Sequence, residues 1–473
     1  MTNKSISLWS IRKLSETIKN GGLSSIELVE ICLKKINELN STLNSFITVT
    51  NERAYEEAEI AEKEIKKGIN RSALQGIPFS IKDIICTKGV RCTAGSKIRS
   101  DRISKIDATI VARMKKAGAI LIGTNNLNEF ASGITGINPH YGDSKNPWNI
   151  HHLSGGSSGG SAVGVATGMV PLSLGTDTGG SIRVPSSLCG VVGLKPTFGR
   201  VSKYGVLPLA PSLDHIGCIT RSAWDAALVL KIIAGIDPRD PFTENVNVPE
   251  YTRIIADRTE EKMSIALPKT YFFDYLQTEV KSIIDDFIDT IGLSNNVFET
   301  KIEKTDKIYK SWLSIRLAEA AEIHLKWLKS EPDYYTQEVR KMLVEGTLIP
   351  ATEYIRAYKI RDEIRYEFLK LLRKVDVIIV PTTIISAPSF CDKEVINIDG
   401  KVMEIRKALL RNTIVFNTIG LPAVSIPIGL TKRRMPVGVQ IVGRPFEEEK
   451  VLSIAYKYEL FNNSLEKYIP PLH

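Results

Sequence analysis

Three short stretches hold the reactive side chains of this sequence. The first is Ser154-Gly155-Gly156-Ser157-Ser158-Gly159-Gly160-Ser161-Ala162, four glycines and four serines in nine residues. The second, Gly175-Thr176-Asp177-Thr178-Gly179-Gly180-Ser181-Ile182-Arg183-Val184-Pro185, follows an apolar run and opens a helical turn. Serine hydroxyls become nucleophiles when a base takes their proton. Consecutive backbone N–H groups in a glycine loop can converge on one point, as a developing oxyanion requires. A flexible linker is the plain alternative for the first segment, but it lies between strand-like and helix-like runs. A phosphate-binding loop ends in Gly-Lys-Ser/Thr, whereas this one ends in Gly-Ser-Ala. A G-x-S-x-G nucleophile elbow at Ser157 or Ser158 needs an acid and then a histidine downstream. Of His215, His324 and His473, none sits in a strand-end loop of the required kind, His215 coming nearest, so the elbow is the weaker reading.

The third stretch, Gly76-Ile77-Pro78-Phe79-Ser80-Ile81-Lys82-Asp83-Ile84-Ile85, offers the missing base. Alternation puts Ser80, Lys82 and Ile84 on one face of a strand and Asp83 on the other, so Asp83 is not the partner of Lys82. A lysine within an apolar strand must pair or lose its proton, and burial lowers its pKa toward that of a general base. Taken alone, Lys82 also reads as an edge lysine reaching solvent. Beside two serine–glycine loops and no suitable histidine, the base is the stronger reading. The six histidines form no H-x-x-x-H pair, and the cysteines form no CxxC, so no metal site and no cofactor is expected.

The elements that must position these groups alternate in type. Ser24-Ser25-Ile26-Glu27 is a capping-box pattern before a helix through residue 39, and Ala54–Lys67 reads as a second, charged helix. Apolar runs at Leu74–Ile85, Ala119–Gly123 and Val170–Gly175 read as buried strands, with helices at Ala108–Ala117, Val163–Gly168 and Ala223–Ala234 between and after them. Residues 238–374 turn charged and helical. Strand patterns return at Val375–Pro381, Ala423–Ile428 and Val437–Val442, before a last helix, Glu447–Leu460. The chain reads as one large α/β domain over 1–473. It comprises a helical part (1–70), a catalytic core (71–235), a helical layer or insertion (236–374) and closing strands with a helix (375–473).

Composition bounds the class. The 473 residues are 43% hydrophobic and 24% charged, which supports a sizeable core and excludes disorder and coiled coils. No apolar run spans a membrane, and the N-terminal MTNKSISLWSIRKL lacks an apolar core for a signal peptide. Six cysteines placed singly read as reduced thiols in a cytoplasmic protein. Lys plus Arg exceed Asp plus Glu by 62 to 53, giving +9. These charges are interspersed with acids, so nucleic acid is not the expected partner. The helical N-terminus could support a homodimer.

The segments GIPFSIKD, NPWNIHHLSGGSSGGSA and GTDTGGSIRVP, in that order, resemble the amidase signature family of serine hydrolases. So do GTNNLNEFASG, SLDHIG, LPAVSIPIG and PVGVQIVG, and the resemblance covers residues 10 to 460. It implies a single α/β domain with a mixed, twisted sheet between helices and a Ser–cis-Ser–Lys triad. By that resemblance Ser181 is the nucleophile, Ser157 the bridging serine after a cis peptide, and Lys82 the base. The N–H groups of Thr178, Gly179, Gly180 and Ser181 form the oxyanion hole. The Ala131 carbonyl holds the substrate amide, while Asp177 and Arg183 brace the loop. The implied reaction is hydrolysis of a small-molecule carboxylic acid amide to acid and ammonia.

The family also contains the glutamine-hydrolysing A subunit of the aspartyl/glutamyl-tRNA amidotransferase. Three departures favour a free-standing amidase. His215 stands where transamidase subunits read Gln in SLDQIG, and Ile137–Gly142 departs from their ETSYFG. Leu410, twelve residues before Pro422, stands where they carry an Asp for the α-amino group of glutamine. Arg361 matches their carboxylate-binding arginine. The regions Glu322–Thr352 and Ser386–Val402 are expected to shape the acyl pocket. Phe130, Trp312, Trp327 and Ile414 either line it or belong to the core.

Overall fold

Strand β2 (Pro78–Lys82), which carries the candidate base, lies deep inside an eleven-stranded mixed sheet. The computed structural model describes residues 6–392 and 394–472; Met1–Ser5, Lys393 and His473 lie outside the described residues. Around β2 the first half contributes α1 (Ser25–Leu43), β1 (Phe46–Val49), α2 (Asn51–Lys66), β3 (Ile120–Asn125), α3 (Gly159–Ala166), β4 (Leu172–Asp177), α4 (Arg183–Cys189), β5 (Val192–Lys195) and β6 (His215–Thr220). The second half contributes β7 (Ser264–Pro268), β8 (Asn296–Thr300), α5 (Ile308–Ser330), α6 (Gln337–Thr347), α7 (Ala351–Leu372) and β9 (Val377–Pro381). It continues with the hairpin β10 (Val395–Ile398) and β11 (Lys401–Glu404), then α8 (Thr413–Thr418), β12 (Ala423–Leu430), β13 (Pro436–Val442) and α9 (Glu448–Asn462). Other helices are given by their ranges.

The strand order is β1-β3-β2-β4-β6-β5-β12-β13-β9-β7-β8, and helices flank the sheet. Each half of the chain thus supplies one contiguous block of strands. The blocks meet at a single antiparallel junction, where Gly193, Leu194 and Lys195 of β5 face Ser425, Val424 and Ala423 of β12. β2 is parallel to both its neighbours, β3 and β4. Lys82 and Asp177 therefore end adjacent parallel strands at one edge, the carboxyl edge where open α/β sheets build their sites.

The capping box is formed: Ser24 Oγ accepts from the Glu27 N–H, and the Glu27 carboxylate accepts from the Ser24 N–H. Elsewhere the structure departs from the sequence expectations. β2 stops at Lys82, whose carbonyl accepts from the N–H groups of Ile84 and Ile85 in a turn, so Ile84 does not share its strand face. Helix α3 starts at Gly159, inside the glycine–serine segment. There the lack of side chains lets it pack on β1 and β3; a Cβ on Gly160 would meet the Ser45 carbonyl and Asn126. Residues 236–374 are more than a helical layer, because β7 and β8 extend the main sheet. β8 is a mostly solvated edge strand, and its sequence lacks an apolar run for that reason. Among the described residues no helix is long and apolar enough to cross a membrane.

Candidate active site

Lys82 is fully buried, and its Nζ lies 2.7 Å from Ser157 Oγ and 2.8 Å from Thr176 Oγ1. Burial lowers its pKa to about 7, against the opposing pull of Asp177 and Asp214. Asp83 faces away and accepts from Thr93 instead. The peptide bond before Ser157 is cis. Thr176, one strand over on β4, is a second partner for the lysine that no sequence motif singles out.

The two glycine loops are stitched together at this point. The Ser181 carbonyl accepts from the Ser158 N–H at 3.1 Å, and Ser158 Oγ donates to the Thr176 carbonyl at 3.2 Å. Three successive carbonyls of the second loop are tied outward by distant side chains. Asn417 Nδ2 donates to Asp177 O at 2.8 Å, Trp312 Nε1 to Thr178 O at 3.0 Å, and Thr413 Oγ1 to Gly179 O at 2.6 Å. In a trans peptide the C=O and the following N–H point opposite ways. The N–H groups of Thr178, Gly179 and Gly180 therefore face away from their tethers. Among the described residues these three, and the N–H of Ser181, donate to no protein acceptor. The glycines are required by space. A Cβ on Gly179 would sit 2.6 Å from Trp312 Cζ2, and Gly180 has φ +141° with Thr413 where its Cβ would be.

Asp177 and Arg183 brace this loop from below. Arg183 Nη2 and Nε donate to the Asp177 carboxylate at 3.0 Å each, and both side chains are completely buried. Burial alone would raise the Asp177 pKa, but the guanidinium overcomes it and holds the carboxyl below its usual range. Arg183 also donates to Gln440, Thr413 O and Asn417, so its charge is fully engaged. Arg183→Met leaves Asp177 buried without its cation and is expected to cost about 3–5 kcal/mol. Urea unfolding reads this directly; a loss below about 1 kcal/mol would show the brace to be dispensable.

The remaining histidines fall outside the hydroxyl cluster. His215 Nδ1 lies 2.7 Å from the Leu213 carbonyl, and burial, aided by Lys195, holds its pKa well below the usual value. It bonds neither serine, so the elbow-type reading of Ser157 or Ser158 is not formed. The neighbouring Asp214 accepts from Thr178 Oγ1 at 2.5 Å and from the N–H groups of Leu209 and Ala210. His324 pairs with the Tyr335 hydroxyl at 2.8 Å.

Ala131 ends the short turn Glu129–Ala131, in which Phe130 and Ala131 both have positive φ, +47° and +57°. Such a conformation in non-glycine residues persists only when the surroundings impose it. Here the Phe130 ring packs in a cluster with His324, Trp327 and Tyr335. Among the described residues the Ala131 carbonyl accepts no hydrogen bond. Of the four apolar candidates for the acyl pocket, Trp312 touches the second glycine loop. Phe130 and Trp327 share the aromatic cluster, and Ile414 is core. Leu410 is buried, and its carbonyl accepts from Thr413. Thr413, Asn417, Trp312 and Asp214 complete the site without any local sequence signal for those roles.

Fold and site together define a hydrolase of amide C–N bonds. The chain belongs to the amidase family, whose model matches residues 27–452. It is 37% identical over 475 residues to the A subunit of the glutamyl-tRNA(Gln) amidotransferase of Coxiella burnetii, covering 95% of this chain and 96% of that one. A solved structure described as a vestigial protein complex, bearing on the origins of an s-triazine catabolic enzyme, matches with TM-score 0.91 and 32% identity over 96% of this chain and 99% of that one. The A subunit of the glutamyl-tRNA(Gln) amidotransferase of Thermotoga maritima matches with TM-score 0.78 and 32% identity over 96% and 94%.

These relatives correct the expected partners. A small-molecule amide and at most a homodimer, with nucleic acid set aside, does not describe proteins that are subunits by name and belong to an enzyme named for a tRNA. The departures at Ile137–Gly142, His215 and Leu410 are local, whereas the similarity to the A subunits runs through 95% of the chain.

Proposed function

We propose that the chain is the ammonia-releasing amidase subunit of an amidotransferase-type assembly, taking a carboxamide such as glutamine through an acyl-enzyme. The contact that carries the hydrolytic half of this reading is Lys82 Nζ to Ser157 Oγ, 2.7 Å, between two fully buried side chains. In its neutral form Lys82 accepts a proton from Ser157, which accepts one from Ser181 as Ser181 Oγ attacks the amide carbon. The oxyanion forms opposite the unspent N–H groups of residues 178–181, each such donor being worth about 100–1,000-fold in rate. The Ala131 carbonyl accepts from the substrate amide and turns its carbon toward Ser181. The proton returns through Ser157 to the departing nitrogen, ammonia leaves, and water releases the acid by the same relay. The six unpaired cysteines support work in a reducing compartment, the cytoplasm.

The test is to recover tagged full-length chain from its own cells. A second polypeptide is expected in fixed proportion, and ammonia release from glutamine should rise at least tenfold over the isolated chain. A chain that is recovered alone and is fully active overturns the subunit reading.

A further inference from the structure

Arg316 lies on α5 one turn beyond Trp312, so both side chains project toward the site. Trp312 covers Gly179, and Arg316 Nη2 donates to Ser132 Oγ at 2.9 Å, next to Ala131. The arginine thus sits between the turn that ends at Ala131 and the second glycine loop. It is buried, and among the described residues it forms no ion pair. Its Nη1 is sealed from solvent and has no hydrogen-bond partner. Two other buried guanidinium groups are answered by acids, Arg183 by Asp177 and Arg200 by Glu448, while the buried Arg221 and Arg411 each donate to two backbone carbonyls.

The acids in the field of Arg316 are committed elsewhere. Asp214 bonds Thr178, Leu209 and Ala210, while Glu338 is solvated and pairs with Arg406. Arg406 adds a second positive charge to the same region. Burial, reinforced by Arg406, lowers the Arg316 pKa to about 9, which leaves it charged at neutral pH. A buried cation with an open donor is costly until an anion reaches it. The family's other candidate, Arg361, is occupied: it pairs with Asp362 at 3.0 Å and lies 4.2 Å over the Tyr358 ring. The side chain of Leu410, apolar and buried, offers nothing to an ammonium group.

We propose that Arg316 binds a carboxylate on the acyl chain of the substrate, so that this site takes monoamides of dicarboxylic acids and tolerates, without reading, the α-amino group of glutamine. This rests on the amidase reading above and names its substrate class. A planar guanidinium suits a carboxylate through two parallel donors, here Nη1 with one neighbour.

The test compares kcat/KM of the full chain for malonamate, succinamate and glutaramate with butyramide, valeramide and glutamine. The best anionic amide is expected to exceed its neutral counterpart of equal length by about 100-fold, and to exceed glutamine. In Arg316→Gln that anionic-to-neutral ratio should collapse about 100-fold, whatever the absolute rate, and Arg316→Lys should restore part of it. Equal losses for anionic and neutral amides in Arg316→Gln, or no anionic preference in the parent, overturn the proposal. Calorimetry with Ser181→Ala separates it from the amidase reading. Glutaramate should bind and valeramide should not, and adding Arg316→Gln should abolish the difference. If no amide is hydrolysed, the amidase reading fails while this binding comparison still upholds or overturns the subsite.

Discussion

Ser181→Ala is expected to lower kcat by about 10,000-fold or more while the melting temperature stays put. The loss is large because in the proposed relay this hydroxyl forms the acyl bond, and no neighbouring serine occupies its place at the head of α4. The fold is spared because Ser181 Oγ bonds no protein group among the described residues, while the Ser181 carbonyl keeps its bond to Ser158. Ser157→Ala should cost nearly as much, since Lys82 then keeps only Thr176, which does not connect it to Ser181. Ser158→Ala removes one bond to the Thr176 carbonyl and should cost far less. A fluorophosphonate should label Ser181. A label on Ser158 or Ser161 would sink this assignment.

The second large effect concerns Lys82. Only the neutral amine can accept a proton, so kcat/KM should rise with pH through about 7 and level off above it. Lys82→Arg should lose about 10,000-fold, because a guanidinium stays protonated across that range. The same shift has a stability consequence of definite sign. The folded pKa lies below the unfolded value of 10.5. Between about 7 and 10.5 the unfolded chain therefore binds more protons, and stability rises with pH across that window. Lys82→Met should accordingly be more stable than the parent at pH 6, with the advantage shrinking by pH 10, as expected where a buried functional group is retained against stability. Urea midpoints at pH 6, 8 and 10 check this. A constant difference, or full activity in Lys82→Arg, would show that the lysine stays charged and is no base.

What can be read from the sequence is what is local. The capping box at Ser24–Glu27, the 3.6-residue periods of the long helices and the two glycine–serine segments announce themselves within ten residues. Lys82 stands out because charge within an apolar run is costly. The tethers do not. Asn417, Trp312 and Thr413 act on residues 177–179 across 134 to 240 positions, and nothing near them in sequence marks it. α3 begins earlier than its apolar pattern suggests because helix propensity penalises glycine, whereas close packing on β1 and β3 demands it. β8 escapes a search for apolar runs because this edge strand buries little and carries polar residues, and β7, though buried, is only five residues long between charged neighbours. The partners are misread for a related reason: single substitutions such as Leu410 weigh less than similarity spread over the whole chain.

The single junction between the two blocks of the sheet bears on the order in which this protein matures. Synthesis delivers the N-terminal block first, and residues up to 220 already contain Lys82, Ser157 and Ser181 together with the six strands that carry them. At that stage the carbonyls of residues 177–179 have no Trp312, Thr413 or Asn417 to hold them, and Arg183 has no Gln440. A nascent or truncated chain therefore holds the three proposed catalytic side chains without the tethers that orient the peptide planes beside them. Thr413, Asn417 and Gln440 all lie in the last hundred residues, so the orientation of this loop is completed by the end of the chain.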